Sequence, residues 1–367
     1  MFRPLIYESF RFVFLWAGED PFRWHLTGFA IHAANAVLVL LLAQALALGR
    51  FGAWFAAALF AIHATRPETA VWITGRFDLI STFFVLAALV LFLNDYRWLA
   101  LFAMIAGILS KESAYACPLL LLLLAPRRWK SMIPFFAAAG AMFLYRFWLF
   151  GNIGGYKTEA GDPQALSVGL VGLAKALTLR LWAILFVPIN WTVPPGLPLT
   201  VAMVAFVLAM LWLFRGKVAS RHIVLTGIAF VLVAALPPVQ QLLIGADLQK
   251  ARYVYLPSAG FCLLVAGLVR NRLAIAGVIL CFQLVALAHN LAIWHDVSLR
   301  IEGACTGDNT ATPPNSINGV YFFQNGLSEC RQVLSRPSHI GGRGSEGDAN
   351  TRPNLWIGIL SRKAASR

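Results

Sequence analysis

The stretch FGAWFAAALFAI at residues 51–62, the link HATRPETAVWITGRFD at 63–78 and the stretch LISTFFVLAALVLFL at 79–93 decide the fold class. The two outer stretches carry no ionisable side chain, whereas the link holds five: His63, Arg66, Glu68, Arg76 and Asp78. Apolar runs approaching the roughly 20 residues needed to cross a bilayer, joined by a short polar link, read as membrane helices with a loop at the surface. The same reading extends outward to His25–Leu48, Phe77–Leu93, Trp98–Leu124, Ile133–Phe150, Leu199–Phe214, Ile223–Leu236, Tyr253–Val269 and Leu273–Ala288. The composition agrees: 59% hydrophobic and 13% charged residues, with a mean hydropathy of +0.71. A soluble domain carries about 25% charged residues.

The formal net charge is +14. Its Lys and Arg lie in short clusters between apolar runs, not along one face or one tail, so they read as orientation signals and exclude a nucleic-acid footprint. Arg50, Arg97, Arg127, Arg128, Lys130, Arg215, Lys217, Arg221, Arg270 and Arg272 all fall in tight turns. They share the cytoplasmic side only if Trp98–Leu124 crosses twice, turning at Ser110-Lys111-Glu112-Ser113. The predicted fold is therefore all-α, a polytopic transmembrane helix bundle of about ten spans, in a bacterial inner membrane. The stretch Leu166–Ile189, with Lys175 and Arg180 inside it and Pro188 near its end, reads as an interfacial helix. Residues 1–24 form an extracytoplasmic juxtamembrane segment, 25–295 the transmembrane module and 296–367 a polar tail without a 34-residue helical repeat.

The outward loops hold the polar chemistry. In the 63–78 link, the ionisable groups form either an interfacial salt-bridge network that caps two helices or a catalytic or ligand site. Ser110-Lys111-Glu112-Ser113 is a polar turn, or a place where Lys111 meets a phosphate. Gln249-Lys250-Ala251-Arg252-Tyr253 is an aromatic and cationic anchor, or a phosphate clamp at a helix start. His25, His32 and Asn35 lie on one helix and read as a packed polar seam. Cys117, Cys262 and Cys281 read as small core hydrophobes, and Cys305 and Cys330 could pair in an oxidising compartment. No metal-ligand spacing is present, and no metal or cofactor is expected.

Several segments together resemble the GT-C superfamily of membrane glycosyltransferases, and above all the transmembrane and tetratricopeptide-repeat protein O-mannosyltransferase family with its bacterial relatives. They are Phe2-Arg3-Pro4-Leu5, Asp20-Pro21-Phe22-Arg23-Trp24-His25, His32-Ala33-Ala34-Asn35, Phe60-Ala61-Ile62-His63, Glu68-Thr69-Ala70-Val71-Trp72-Ile73, Gly75-Arg76-Phe77-Asp78-Leu79, Ser110-Lys111-Glu112, and the run from Ala251 to Phe261. The resemblance implies sugar transfer from a polyprenyl-phosphate donor to an extracytoplasmic acceptor, either a protein or an envelope glycan. It implies Arg252, then Arg76 and Lys111, as donor-phosphate ligands. Glu68 and Asp78 become candidate catalytic groups, with His63, Glu112, Tyr253 and Lys250 in support.

The family keeps an acidic motif in its first outer loop, after a first transmembrane helix. Glu19 and Asp20 fall downstream of Arg3-Pro4-Leu5 and do not match that motif. The resemblance thus leads to the expectation that a further helix with an acidic pair is encoded upstream of Met1 and that this chain alone is inactive. The rival readings are a non-catalytic or truncated membrane partner of such an enzyme, and a lipid or solute transporter. A transporter would show matching repeats and mid-membrane charges, neither of which is read here.

Overall fold

Prolines at the first turn open several of the helices, and an aspartate side chain caps one of them. The computed structural model describes residues 3–18, 20–151, 169–215 and 221–305, and among them it is helical without strands. Helix α1 spans Pro4–Ala17. Helix α2 spans Pro21–Ala45, and the Asp20 side chain accepts the Phe22 N–H at its start. Helices α3 (Gly49–Ile62) and α4 (Arg76–Leu93) follow, joined by a π turn at Pro67–Val71 and a 3-10 turn at Ile73–Gly75. Helix α5 (Arg97–Ser110) ends at Lys111, whose backbone is extended, and a short 3-10 turn leads into α6 (Cys117–Leu124). Then come α7 (Ile133–Phe150), α8 (Leu170–Lys175) and α9 (Leu181–Phe186), the last two linked by a π turn. Helices α10 (Leu197–Arg215), α11 (Arg221–Ala235), α12 (Tyr255–Val269) and α13 (Leu273–Cys305) complete the order.

Among the described residues, five helical segments are long and apolar enough to cross a membrane: Pro21–Ala45, Ile73–Leu93, Pro126–Phe150, Ala251–Val269 and Leu273–Leu299. Five shorter apolar helices among them lie at Gly49–Ile62, Arg97–Ser110, Glu112–Leu124, Leu197–Leu213 and Arg221–Ala235. The chain is thus an all-α, multi-pass membrane protein. The interruption of Trp98–Leu124 is real, and two ion pairs fix what it does. Lys111 at the break reaches Asp78 at the start of α4, whereas Arg128 after α6 reaches Asp95 at the end of α4. Since α4 runs between those two points, α5 and α6 carry the chain along the bundle and back.

Helix α12 is buried along its whole length and packs mainly on α11 and α3. Close approach needs small residues: a Cβ at Gly227 would lie 2.8 Å from the Leu264 backbone. By contrast, Phe143, Leu144 and Trp148 of α7 face outward, as lipid-exposed side chains do.

Residues 4–17 of the head segment form α1, which buries Ile6, Val13 and Ala17. One sequence expectation is corrected and others fall outside the described residues. Cys281 is exposed and not packed, while Cys117 and Cys262 are buried. Glu19, Lys217, the outward loop beyond Gly151, and the tail beyond Cys305 with Cys330 lie outside the described residues.

The chain divides into two units, Met1–Ile189 with Pro195–Asn290, and Asn190–Pro194 with Leu291–Arg367. In the described part of the second, the Asn190 side chain accepts hydrogen bonds from the Thr192 backbone and hydroxyl. The charged site lies entirely within the first.

Candidate functional site

The site begins with a loop that has little freedom. Pro67 opens the π turn, and Gly75 closes the link against the carbonyls of Glu68 and Thr69, where any Cβ would collide with backbone. This holds Glu68, 3% exposed, toward the segment that starts α12. There Lys250 adopts a left-handed backbone (φ +72°) that aims its N–H at Glu68. Glu68 Oε1 accepts the Lys250 N–H (3.0 Å) and Arg252 Nη1 (3.2 Å), and Oε2 accepts the Arg252 N–H (2.9 Å). The Arg252 guanidinium lies over the Trp72 ring (4.7 Å) and the Tyr253 ring (5.1 Å). Burial pushes the Glu68 carboxyl up to about 7, against the downward pull of Arg252 and the two backbone donors.

Tyr253 joins this clamp to a second pair. Lys111 Nζ sits 4.5 Å from the Tyr253 ring centre and 2.5 Å from Asp78 Oδ1, while Asp78 Oδ2 is buried without a hydrogen-bond partner. Lys111 stands in the α5–α6 break with an extended backbone, and from there its ammonium meets Asp78. Beside it, Glu112 is gripped by Arg3 (2.6 Å) and Arg146 (2.5 Å). Burial alone would raise the Glu112 carboxyl, but the two arginines outweigh it and hold it at about 2.

The sequence-derived residues do not all converge. Glu68, Lys250, Arg252, Tyr253, Lys111 and Asp78 form one connected cluster, and Glu112 adjoins it through the chain. Arg76 turns away: it hydrogen-bonds Thr27 and lies over the rings of Phe10 and Trp24. His63 also faces elsewhere. Its Nε2 donates to the Leu185 carbonyl (3.0 Å), and its Nδ1 accepts from Thr65 (2.9 Å). Sequence reasoning gave no site role to Arg3 or Arg146. For Arg146, a lone arginine near the end of an otherwise apolar run was the available signal. Arg3 lies in the Phe2-Arg3-Pro4-Leu5 segment of the resemblance, but only the fold of α1 carries it across Phe77 to Glu112.

Beneath the clamp a hydrogen-bonded network without carboxylates ties α2 and α3 to α12. His32 Nε2 donates to the Ala61 carbonyl and its Nδ1 accepts from Tyr255 (2.6 Å), while Asn35 donates to Tyr255 (3.2 Å). Arg66 donates to the Phe60 carbonyl and to Ser258, between the rings of Phe60 and Tyr255.

A bundle of apolar helices with paired cations and carboxylates gathered at one end is the arrangement of a multi-pass membrane protein with chemistry at its surface. Comparison with known proteins then shows which such proteins the chain is similar to. It is 34% identical over 125 residues to the protein O-mannosyl-transferase Tmtc1 of Drosophila melanogaster, covering 32% of this chain and 15% of that protein. It is 34% identical over 87 residues to TMTC3 of Mus musculus (24% and 9%), and 37% identical over 95 residues to tmtc2 of Xenopus laevis (25% and 11%), both also protein O-mannosyl-transferases. The matched part is therefore a small fraction of each relative's length. No protein-family model matches the chain, and no solved structure matches it. The resemblance to the transmembrane and tetratricopeptide-repeat O-mannosyltransferases is thus carried by partial matches to curated relatives that include these three.

Proposed function

We propose that the chain is a membrane glycosyltransferase module that transfers a hexosyl group from a polyprenyl-phosphate donor to an extracytoplasmic acceptor, a protein or an envelope glycan. The observation that supports this most is Arg252, fixed by three hydrogen bonds between its segment and Glu68 and set beside the Lys111–Asp78 pair. A lipid-linked donor has its chain in the bilayer and its phosphate at the surface, where these cations lie at the ends of the helices. The name of the relatives points to mannosyl transfer onto protein.

In this reading, an acceptor hydroxyl attacks the anomeric carbon, and the bond from that carbon to the phosphate oxygen breaks with its electron pair leaving on the phosphate. Arg252 and Lys111 stabilise the charge that develops there. Glu68 is fully engaged as an acceptor, so its role is to position Arg252. Asp78 offers Oδ2 without a partner and is the group suited to take the hydroxyl proton.

The test is donor binding and transfer by the purified full chain in lipid nanodiscs, with a labelled polyprenyl-phosphate hexose and a serine- and threonine-rich peptide. Binding that Arg252→Ala weakens while the variant stays folded supports the reading. Donor affinity that the variant leaves unchanged returns Arg252 to an interfacial anchor.

A further inference from the structure

Among the described residues, Glu112 is the carboxylate shared by two arginines from separate elements, Arg3 before α1 and Arg146 near the end of α7. Each guanidinium spends a single Nη2 on a separate carboxylate oxygen. Arginine has five donors in a fork suited to two parallel bonds, so this grip leaves both forks open. Arg3 Nε and Arg146 Nη1 are indeed buried with no hydrogen-bond partner. The Arg146 residue is 6% exposed. Nearby carboxylates do not supply the missing acceptors: Glu68 is held by Arg252, and Asp78 by Lys111. Lys111 directly precedes Glu112 and adds another positive charge, while Tyr115 presents a hydroxyl near Arg146. The result is a local positive surplus with unused, pre-oriented N–H groups. The Glu112 side chain is 30% exposed, so the cluster is reachable from outside.

We infer that Arg3 and Arg146 form a second oxyanion site, for a phosphate group, and that Glu112 is the internal anion which an incoming phosphate displaces. Guanidinium pairs match phosphate oxygens geometrically and not only by charge. The site does not depend on Arg252 holding a donor. The phosphate could belong to a lipid head or to a soluble phosphorylated molecule, since both present the same oxygens.

The experiment uses the full chain in phosphatidylcholine nanodiscs at fixed ionic strength, with inorganic phosphate as the first probe in calorimetric titrations. Glu112→Gln removes the competitor and should tighten phosphate binding tenfold or more. Adding Arg146→Gln to that variant should cancel the gain, and Arg146→Lys should cancel most of it, because charge without the fork is insufficient. A polyprenyl phosphate incorporated in the disc then separates the sources. Competition with inorganic phosphate assigns a lipid head, and its failure to compete assigns a soluble phosphate. Should a variant fail to fold, the unmutated protein still decides. Phosphate should shield Arg3 and Arg146 from phenylglyoxal, read by peptide mass mapping. Unshielded arginines, unchanged affinity in Glu112→Gln, or phosphate binding abolished by Arg252→Gln but not by Arg146→Gln would each overturn the site.

Discussion

The two ends of the bundle both carry charge and use it differently. At one end, Asp95 meets Arg128 at 2.6 Å with side chains 84% and 34% exposed. The neighbouring turns hold Arg127, Lys130, Arg270 and Arg272 with few acids to meet them. At the other end, Lys111 meets Asp78 at 2.5 Å with side chains 8% and 6% exposed, and the pairs of Arg252 with Glu68 and of Arg146 with Glu112 lie close by. Exposed charges in high dielectric set orientation through their number and sign. Buried charges cost desolvation and survive only when matched group by group. A charge at a membrane helix end therefore says little by itself; its burial and pairing separate the solvent-exposed end from the enclosed one.

The comparison is broken most directly by removing one partner from a buried pair. Lys111→Met leaves Asp78 buried and alone, and the expected loss of stability is about 3–5 kcal/mol. Unfolding in bicelles measures it, and adding Asp78→Leu should recover much of the loss. A single-variant cost near zero would place Lys111 and Asp78 in effectively solvated surroundings, like the other end.

Arg252→Ala should weaken donor binding by about 2–5 kcal/mol, since it removes a largely desolvated charge and its hold on Glu68. Titration of a polyprenyl-phosphate hexose into nanodiscs gives the number, and circular dichroism checks the fold.

The two glutamates sharpen the contrast through pH. Glu68 is raised from an ordinary 4.5 to about 7, so between those values the native state holds more protons than the unfolded chain. Its contribution to stability is complete below about pH 4.5 and is lost as pH climbs toward 7. Glu112, lowered to about 2, behaves in reverse: its contribution is present above 4.5 and is lost as pH falls toward 2. Glu68→Gln should flatten the melting-temperature profile between pH 4.5 and 7 and leave the acid limb in place. Donor affinity should run against stability and rise through pH 7, because only the carboxylate holds Arg252. A wild-type profile that Glu68→Gln does not alter would show that Glu68 stays ionised throughout.

The smallest effect belongs to the exposed pair. Arg128→Ala should cost about 0–1 kcal/mol and leave donor binding unchanged. A larger loss would mean that the Arg128 contact with the Phe92 ring, 4.6 Å away, carries packing that charge does not account for.

Much of the fold was legible because hydropathy is a sum over neighbours in sequence. The runs around residues 51–62 and 79–93 and the break at Lys111 follow from local composition. The site was legible in part for the same reason: Glu68, Asp78, Lys111 and Arg252 are charges too close to apolar runs to be incidental. Their partners depend on long-range packing. Nothing in the sequence pairs Arg3 with Glu112, 109 positions away, or turns Arg76 toward Trp24 and away from the cluster. Helix α1 was not singled out because its apolar run Phe10–Ala17 is too short to cross a bilayer, and Glu8 and Arg11 interrupt the residues around it.

The enclosure of α12 on every side bears on how the protein is made. Synthesis proceeds from the N-terminus, so α2, α3 and α4 leave the ribosome long before the helix they surround. Until α12 and the turn before it arrive, Arg66 lacks Ser258, His32 lacks Tyr255 and Glu68 lacks Lys250 and Arg252. The early helices are therefore synthesised with several polar groups whose native partners are still to come. A chain cut short before Lys250 would keep all of those groups unmet, so the arrival of this one turn and helix completes most of the polar contacts of the first half.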